Sequence, residues 1–253
     1  MIDKYIIKVF RGVPGKQYWE SFELKLFPGD NVISALIEIQ KNPINILGET
    51  VDPIAWEQGC LEEVCGSCAI LVNRRPRQAC STIIKNHLID GIIHIAPLTK
   101  FPLIRDLIVD RSIMFDNLQK IQGWIQEEGE KKGFGPKISQ KDQILMYSLS
   151  MCMTCGCCSE ACPQINEKSD FIGPAAISQV RFFNMYPKDI QKEDRVKKLM
   201  EKGGVGDCGH AQNCVKVCPK KLPLTESIAA LGKQATMQGL KNLLSFFKKK
   251  KKD

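Results

Sequence analysis

No stretch of about 18 consecutive apolar residues, the length a bilayer-spanning helix needs, occurs in this 253-residue chain, so any association with a membrane is expected to be peripheral. A recognisable nucleotide-binding loop, a nucleophile motif and a second type of metal motif are also lacking. Neither a helix-turn-helix nor an RNA-binding signature appears, and no basic stripe interleaved with aromatic residues runs through the body of the chain, which argues against nucleic acid as a partner. The opening Met1-Ile-Asp-Lys leads into no apolar secretory segment, and the expected compartment is a reducing one.

Cysteine, by contrast, is plentiful. Twelve thiols in a reducing cytosol read as metal ligands rather than disulfides. One group is Cys60-Leu-Glu-Glu-Val-Cys65-Gly-Ser-Cys68, followed after eleven residues by Cys80. This is the plant-type [2Fe–2S] spacing, and Gly59 and Gly66 let the backbone turn its amides toward the sulfurs. A second run, Cys152-Met-Thr-Cys155-Gly-Cys157-Cys158-Ser-Glu-Ala-Cys162-Pro163, contains the bacterial ferredoxin spacing closed by proline. The third, Cys208-Gly-His-Ala211-Gln-Asn-Cys214-Val-Lys-Val-Cys218-Pro219, fits the same template with Ala211 in place of the second cysteine.

In two-cluster ferredoxins the fourth cysteine of each run ligates the other cluster. One site would then take Cys152, Cys155, Cys158 and Cys218, and the other only Cys162, Cys208 and Cys214. Four thiolates suit a [4Fe–4S] cubane. Three, with an apolar residue at the vacant corner, suit a [3Fe–4S] cluster. Cys157 remains, and reads as a small buried hydrophobe beside a cluster. Structural zinc is the main competitor for such spacings, but it gives no reason for the proline after each run.

The formal charge, 36 minus 28, is +8. Each oxidised cluster with its thiolates adds about −2, which brings the loaded protein close to neutral. Five lysines, Lys248 to Lys252, follow an apolar pattern of Leu240, Leu243, Leu244, Phe246 and Phe247. They read as a solvated tail, or as a segment attracted to an anionic leaflet.

The fold class is expected to be α+β. Tyr5 to Phe10 and Phe22 to Phe27 are β-prone runs, the second strictly alternating, that read as a hairpin separated by Gly12, Pro14 and Gly15, and Val32 to Gln40 has the period of a helix crossing it. Ala69 to Val72 and Ile92 to Ala96 supply further strands. Such a sheet gripping one helix predicts a plant-type ferredoxin domain over residues 1–104. A helical domain holding the other two clusters in its turns is expected over 105–240, with a basic tail over 241–253. Its predicted helices span Leu107 to Ile125, Ala175 to Tyr186, Glu193 to Lys202 and Leu224 to Thr236, with Gly129 to Pro136 a loop. Three centres that each pass one electron, without a reaction-bearing motif, suggest a wire between a two-electron donor and an acceptor such as a quinone.

The Cys60 to Cys80 group, the Cys152 to Pro163 run with its extra Cys157, the Phe171-Ile-Gly-Pro-Ala175 segment and the Cys208 to Pro219 run together resemble the iron–sulfur subunit of succinate dehydrogenases and fumarate reductases. The resemblance covers nearly the whole chain. It implies that the [2Fe–2S] domain docks on a flavoprotein subunit that oxidises succinate at covalently bound FAD. It implies equally that the helical domain docks on a membrane anchor, with the [3Fe–4S] cluster nearest the quinone and Pro163, His210 and Ala211 bordering it. His210 reads equally well as a solvated or capping histidine. Ubiquinone-reducing members carry a tryptophan pair after the proline, whereas this chain has Gln164-Ile-Asn-Glu-Lys168. Ser178 to Asn184, Gly203-Gly204, Asp207 to Gly209 and Gln212 to Cys214 look like the menaquinone-linked type, whose single anchor carries two b haems. The implied role is electron transfer in a succinate:quinone oxidoreductase on the cytoplasmic face of a bacterial inner membrane. Alternatives are a fumarate reductase subunit working in reverse, an iron–sulfur module of another flavoprotein dehydrogenase, and a protein whose clusters are purely structural, which Ala211 disfavours.

Overall fold

The computed structural model describes residues 4–127 and 135–249. It divides into two compact units, Met1–Arg111 with Met153–Ala161, and Ser112–Cys152 with Cys162–Asp253. Strands β1 (Lys4–Val13), β2 (Lys16–Lys25), β3 (Ala69–Val72), β4 (Arg75–Gln78), β5 (Ile92–Ala96), β6 (Leu103–Arg105) and β7 (Ile108–Val109) all lie in the first. The helices of four residues or more are α1 (Val32–Lys41), α2 (Ser112–Lys120), α3 (Gln140–Ser150), α4 (Cys157–Glu160), α5 (Pro174–Asn184), α6 (Lys192–Leu199), α7 (Asn213–Val217) and α8 (Leu224–Lys249). The first and fourth of these belong to the first unit, the rest to the second.

In the first unit, β1 and β2 pair antiparallel from Lys4↔Lys25 to Val13↔Lys16 around a Pro14-Gly15 turn. Alternation buries Tyr5, Ile7 and Val9 on one face. Helix α1 crosses that face. Its start is fixed by a capping box, in which Asn31 Oδ1 accepts from the Ser34 N–H at 2.9 Å and Ser34 Oγ from the Asn31 N–H at 3.1 Å. Val32, Ile33, Ala35, Leu36 and Ile39 then pack into the core with Ile70, Val72, Ile93 and Ile95. The sheet runs in the order β2-β1-β5-β3-β4, with β1 parallel to β5 and the other pairs antiparallel.

Two elements of this unit escape sequence reading. Strand β4 contains Pro76 and lies at the sheet edge, the position where a missing N–H is tolerated. The hairpin β6–β7 includes Ile108, which the periodicity assigned to a helix. Its turn residue Asp106 is buried and accepts from Arg11 Nε at 3.2 Å, the Gly12 N–H at 2.9 Å and the Ala55 N–H at 2.8 Å. Buried Arg11 also pairs with Glu20 at 2.9 Å and donates to the Asp52 carbonyl at 2.7 Å, so one guanidinium ties the strand to the chain leading into the first cysteine loop.

In the second unit, Ala176, Ile177 and Val180 of α5 pack with Leu199 of α6, Ile228 and Leu231 of α8, and Phe171 and Cys162. Pro174 opens α5 at its first turn, where no N–H is required. Helix α2 stops at Lys120, short of the expected Ile125, because Gln122 turns left-handed and the carbonyls of Gln122 and Trp124 are taken by Arg195. Helix α8 runs well past the expected Thr236. The expected loop Gly129 to Pro136, apart from its last two residues, lies outside the described residues, as do Lys250 to Lys252 of the basic run. Among the described residues no helix is long and apolar enough to cross a membrane.

Candidate iron–sulfur centres

None of the twelve cysteines, all among the described residues, forms a disulfide. The first loop is curled by left-handed residues at Leu61, Glu63 and Gly66, which turn successive N–H groups inward. Cys60 Sγ accepts from the N–H groups of Glu62 at 3.3 Å, Val64 at 3.2 Å and Cys65 at 3.3 Å, and Cys65 Sγ accepts from the Cys60 N–H at 3.4 Å. That last N–H, with the Ser67 hydroxyl and N–H, pulls the exposed Cys65 thiol down to about 6. Cys68 lies deeper, ahead of β3, beside Cys80 in the short turn that follows β4; burial pushes its thiol up.

The glycines fit this reading. A Cβ on Gly59 would come within 3.0 Å of Cys65 Sγ, and one on Gly66 within 2.7 Å of the Met153 carbonyl and 2.9 Å of Cys155 Cβ. Arg111, which carries no motif, clamps the loop by donating to the carbonyls of Gly66 at 2.8 Å and Ser67 at 3.1 Å and pairing with Glu57 at 2.6 Å.

Residues 153–161 pack within the same unit. Gly156 is left-handed, and a Cβ there would meet the Phe101 ring at 2.9 Å. Cys155, Cys157 and Cys158 are buried, the last two at the start of α4 rather than in a turn. A hydrogen bond from Cys157 holds the Cys155 thiol down, and the same contact, with burial, drives Cys157 up. Glu160 anchors the segment, its carboxylate accepting from the Thr99 N–H at 3.0 Å, the Thr99 hydroxyl at 2.6 Å and the Lys100 N–H at 3.0 Å.

In the second unit, Cys214 of α7 is buried, and burial, then the charges of Cys162 and Cys208, raise its pKa, so these three thiols are near neighbours. Cys152 follows α3, and Cys218 follows α7 with its Sγ accepting from the Leu222 N–H at 3.4 Å. Left-handed His210 and Gln212 flank Ala211, and a Cβ on Gly209 would come within 2.3 Å of Gln164 Nε2, so the Cys208–Cys214 loop lies against the chain after Pro163. Pro163, His210 and Ala211 are all exposed.

Among the described residues no three His, Cys, Asp or Glu side chains gather tightly enough to hold a single metal ion. Thiols in three groups, amide N–H groups aimed at sulfur and glycines where side chains would intrude are a donor set suited to iron–sulfur clusters.

Comparison with known proteins agrees. Residues 6–116 match a model described as a 2Fe-2S iron-sulfur cluster binding domain, and residues 148–222 a 4Fe-4S dicluster domain. The chain is 48% identical over 227 residues to the succinate dehydrogenase iron-sulfur subunit of Bacillus subtilis, covering 89% of each. It is 32% identical over 238 residues to the fumarate reductase iron-sulfur subunit of Wolinella succinogenes, covering 89% of this chain and 94% of that one. In fold it is similar to a chain of the Mycobacterium smegmatis Sdh1 complex in the apo form, with a TM-score of 0.84 at 22% identity over 94% of this chain and 98% of that one. A [2Fe–2S] domain followed by a [4Fe–4S] dicluster domain, in a mixed-sheet-plus-helix architecture and at this identity over most of the chain, places it in the family of succinate dehydrogenase and fumarate reductase iron–sulfur subunits.

Proposed function

We propose that this subunit carries single electrons from a FAD-bearing flavoprotein that oxidises succinate, through three clusters, to a membrane quinone. Cys60, Cys65, Cys68 and Cys80 would hold the [2Fe–2S] cluster, Cys152, Cys155, Cys158 and Cys218 the [4Fe–4S] cluster, and Cys162, Cys208 and Cys214 the [3Fe–4S] cluster. A bound cluster supplies a one-electron carrier whose potential is set by its type, by hydrogen bonds to sulfur and by exposure. The protein's own part is to aim N–H groups at Cys60, to keep Cys155 buried and to leave the Cys208–Cys214 loop at the surface. The domains read as a plant-type ferredoxin followed by a helical, bacterial-ferredoxin-like one.

The observation that carries this reading is the grouping of Cys214 with Cys162 and Cys208 beside an exposed Ala211, three thiols where a ferredoxin template has four. Exposed Pro163 and His210 beside that loop support a quinone-bordering role. Met237, Leu240, Leu243 and Leu244, exposed along α8, support docking on a membrane anchor, which we read as a single dihaem cytochrome b at the cytoplasmic face. Greater identity to a succinate dehydrogenase subunit than to a fumarate reductase one supports turnover toward fumarate.

Electron paramagnetic resonance on the anaerobically purified complex tests this. Oxidised protein should show a three-iron signal that disappears with succinate as a [2Fe–2S] signal rises. Clusters indifferent to succinate would instead favour a module serving another flavoprotein dehydrogenase.

A further inference from the structure

Gln78, the last residue of β4, is 1% exposed, and its amide lies between two buried sulfurs. Cys68 Sγ stands 3.5 Å from Oε1, and Nε2 stands 3.5 Å from Cys157 Sγ. Burying an amide against sulfur is costly if volume alone is needed, since leucine would fill the space without losing hydration. With both thiols protonated, Cys68 donates to the amide oxygen and the amide nitrogen donates to Cys157. A cysteine bound to iron is a thiolate and can only accept. The contact to Cys68 then survives only if the amide turns half-way round its terminal bond, exchanging its nearly isosteric oxygen and nitrogen.

We propose that Gln78 is a positioning residue for electron transfer: its Nε2 donates to the Cys68 thiolate. The proposal rests on Cys68 being a [2Fe–2S] ligand. A donor on the ligand sulfur stabilises the more negative, reduced state and so raises the potential. Reduction adds one electron, supplied by substrate oxidation at the flavoprotein, and moves no proton to or from Gln78. Cys157, which belongs to none of the three ligand sets, lies on the other side of the amide, 3.5 Å from it. Because it sits between Cys155 and Cys158, the amide links the first cluster loop to the second.

The test is a redox titration of the [2Fe–2S] resonance in the assembled complex in mild detergent. Gln78→Leu should leave the fully reduced signal intact and lower the midpoint, by about tenfold in the reduced-to-oxidised ratio, or about 59 mV for one electron. Gln78→Glu, whose carboxylate cannot donate, should move it the same way. With 15N-labelled glutamine, a nitrogen coupling to the reduced centre should appear in the parent and vanish in Gln78→Leu. An unchanged midpoint in Gln78→Leu, or no such coupling in the parent, overturns the proposal. If Gln78→Leu does not load the cluster, Gln78→Glu decides by the same criterion, an unchanged midpoint overturning the proposal. A parent complex with no two-iron signal refutes the ligand assignment itself, a failure visible before any substitution is made.

Discussion

A methyl group at position 211 sits between two left-handed residues on the exposed loop from Cys208 to Cys214. Ala211→Cys puts a fourth thiol at that corner. The expected outcome is a fourth iron, loss of the oxidised three-iron resonance and slower quinone reduction, each 59 mV of lowered potential disfavouring the electron's arrival about tenfold. A persistent three-iron spectrum would refute the alignment of the two runs. Cys65 yields a second prediction. Its folded pKa of about 6 lies below the ordinary thiol range, so the stability its thiolate adds is complete above that range and is lost as pH falls from there to 6. In cluster-free protein, alkylation of Cys65 followed by peptide mass mapping should therefore rise with a midpoint near 6, and Ser67→Ala should move that midpoint upward. At this scale the cysteines were legible because spacing along the chain is what a cluster needs. Arg111 and Gln78 were not, since their partners lie 45 and 10 or 79 residues away and no local pattern announces them.

Helices and strands follow the same division between local and distant causes. The capping box before α1 and the proline opening α5 are local causes, each made within three residues of the helix start. The end of α2 depended on Arg195, a residue more than 70 positions away that is fully buried among Asp189, Asn184 at 2.9 Å and the carbonyl of Gln122 at 2.7 Å. Burial by itself would raise the Asp189 pKa, but the Arg195 contact and the Gln126 N–H outweigh it and hold the carboxyl below its ordinary value. Arg195→Ala leaves that carboxylate buried without its partner and frees two carbonyls. Denaturant unfolding should register a loss of about 3–5 kcal/mol, and Arg195→Met combined with Asp189→Leu a smaller one. Equal losses would mean that the pair contributes through packing alone.

At the scale of the whole chain, the order of the two cluster domains was legible, and comparison bears it out. What linear reading does not convey is that residues 153–161 pack with the first unit. A fragment ending at Arg111 lacks Glu160, and so leaves the Thr99 and Lys100 N–H groups without their carboxylate. Hydrogen exchange should find those amides unprotected in the fragment and protected in the full chain, and equal protection would show the fragment to be self-sufficient. On the ribosome, the same arrangement imposes a delay. Fifty residues separate Arg111 from Ala161, and at about 5–20 residues per second their synthesis takes about 3–10 s. For that interval the nascent first unit waits with its first cysteine loop already made but its closing segment not yet emerged.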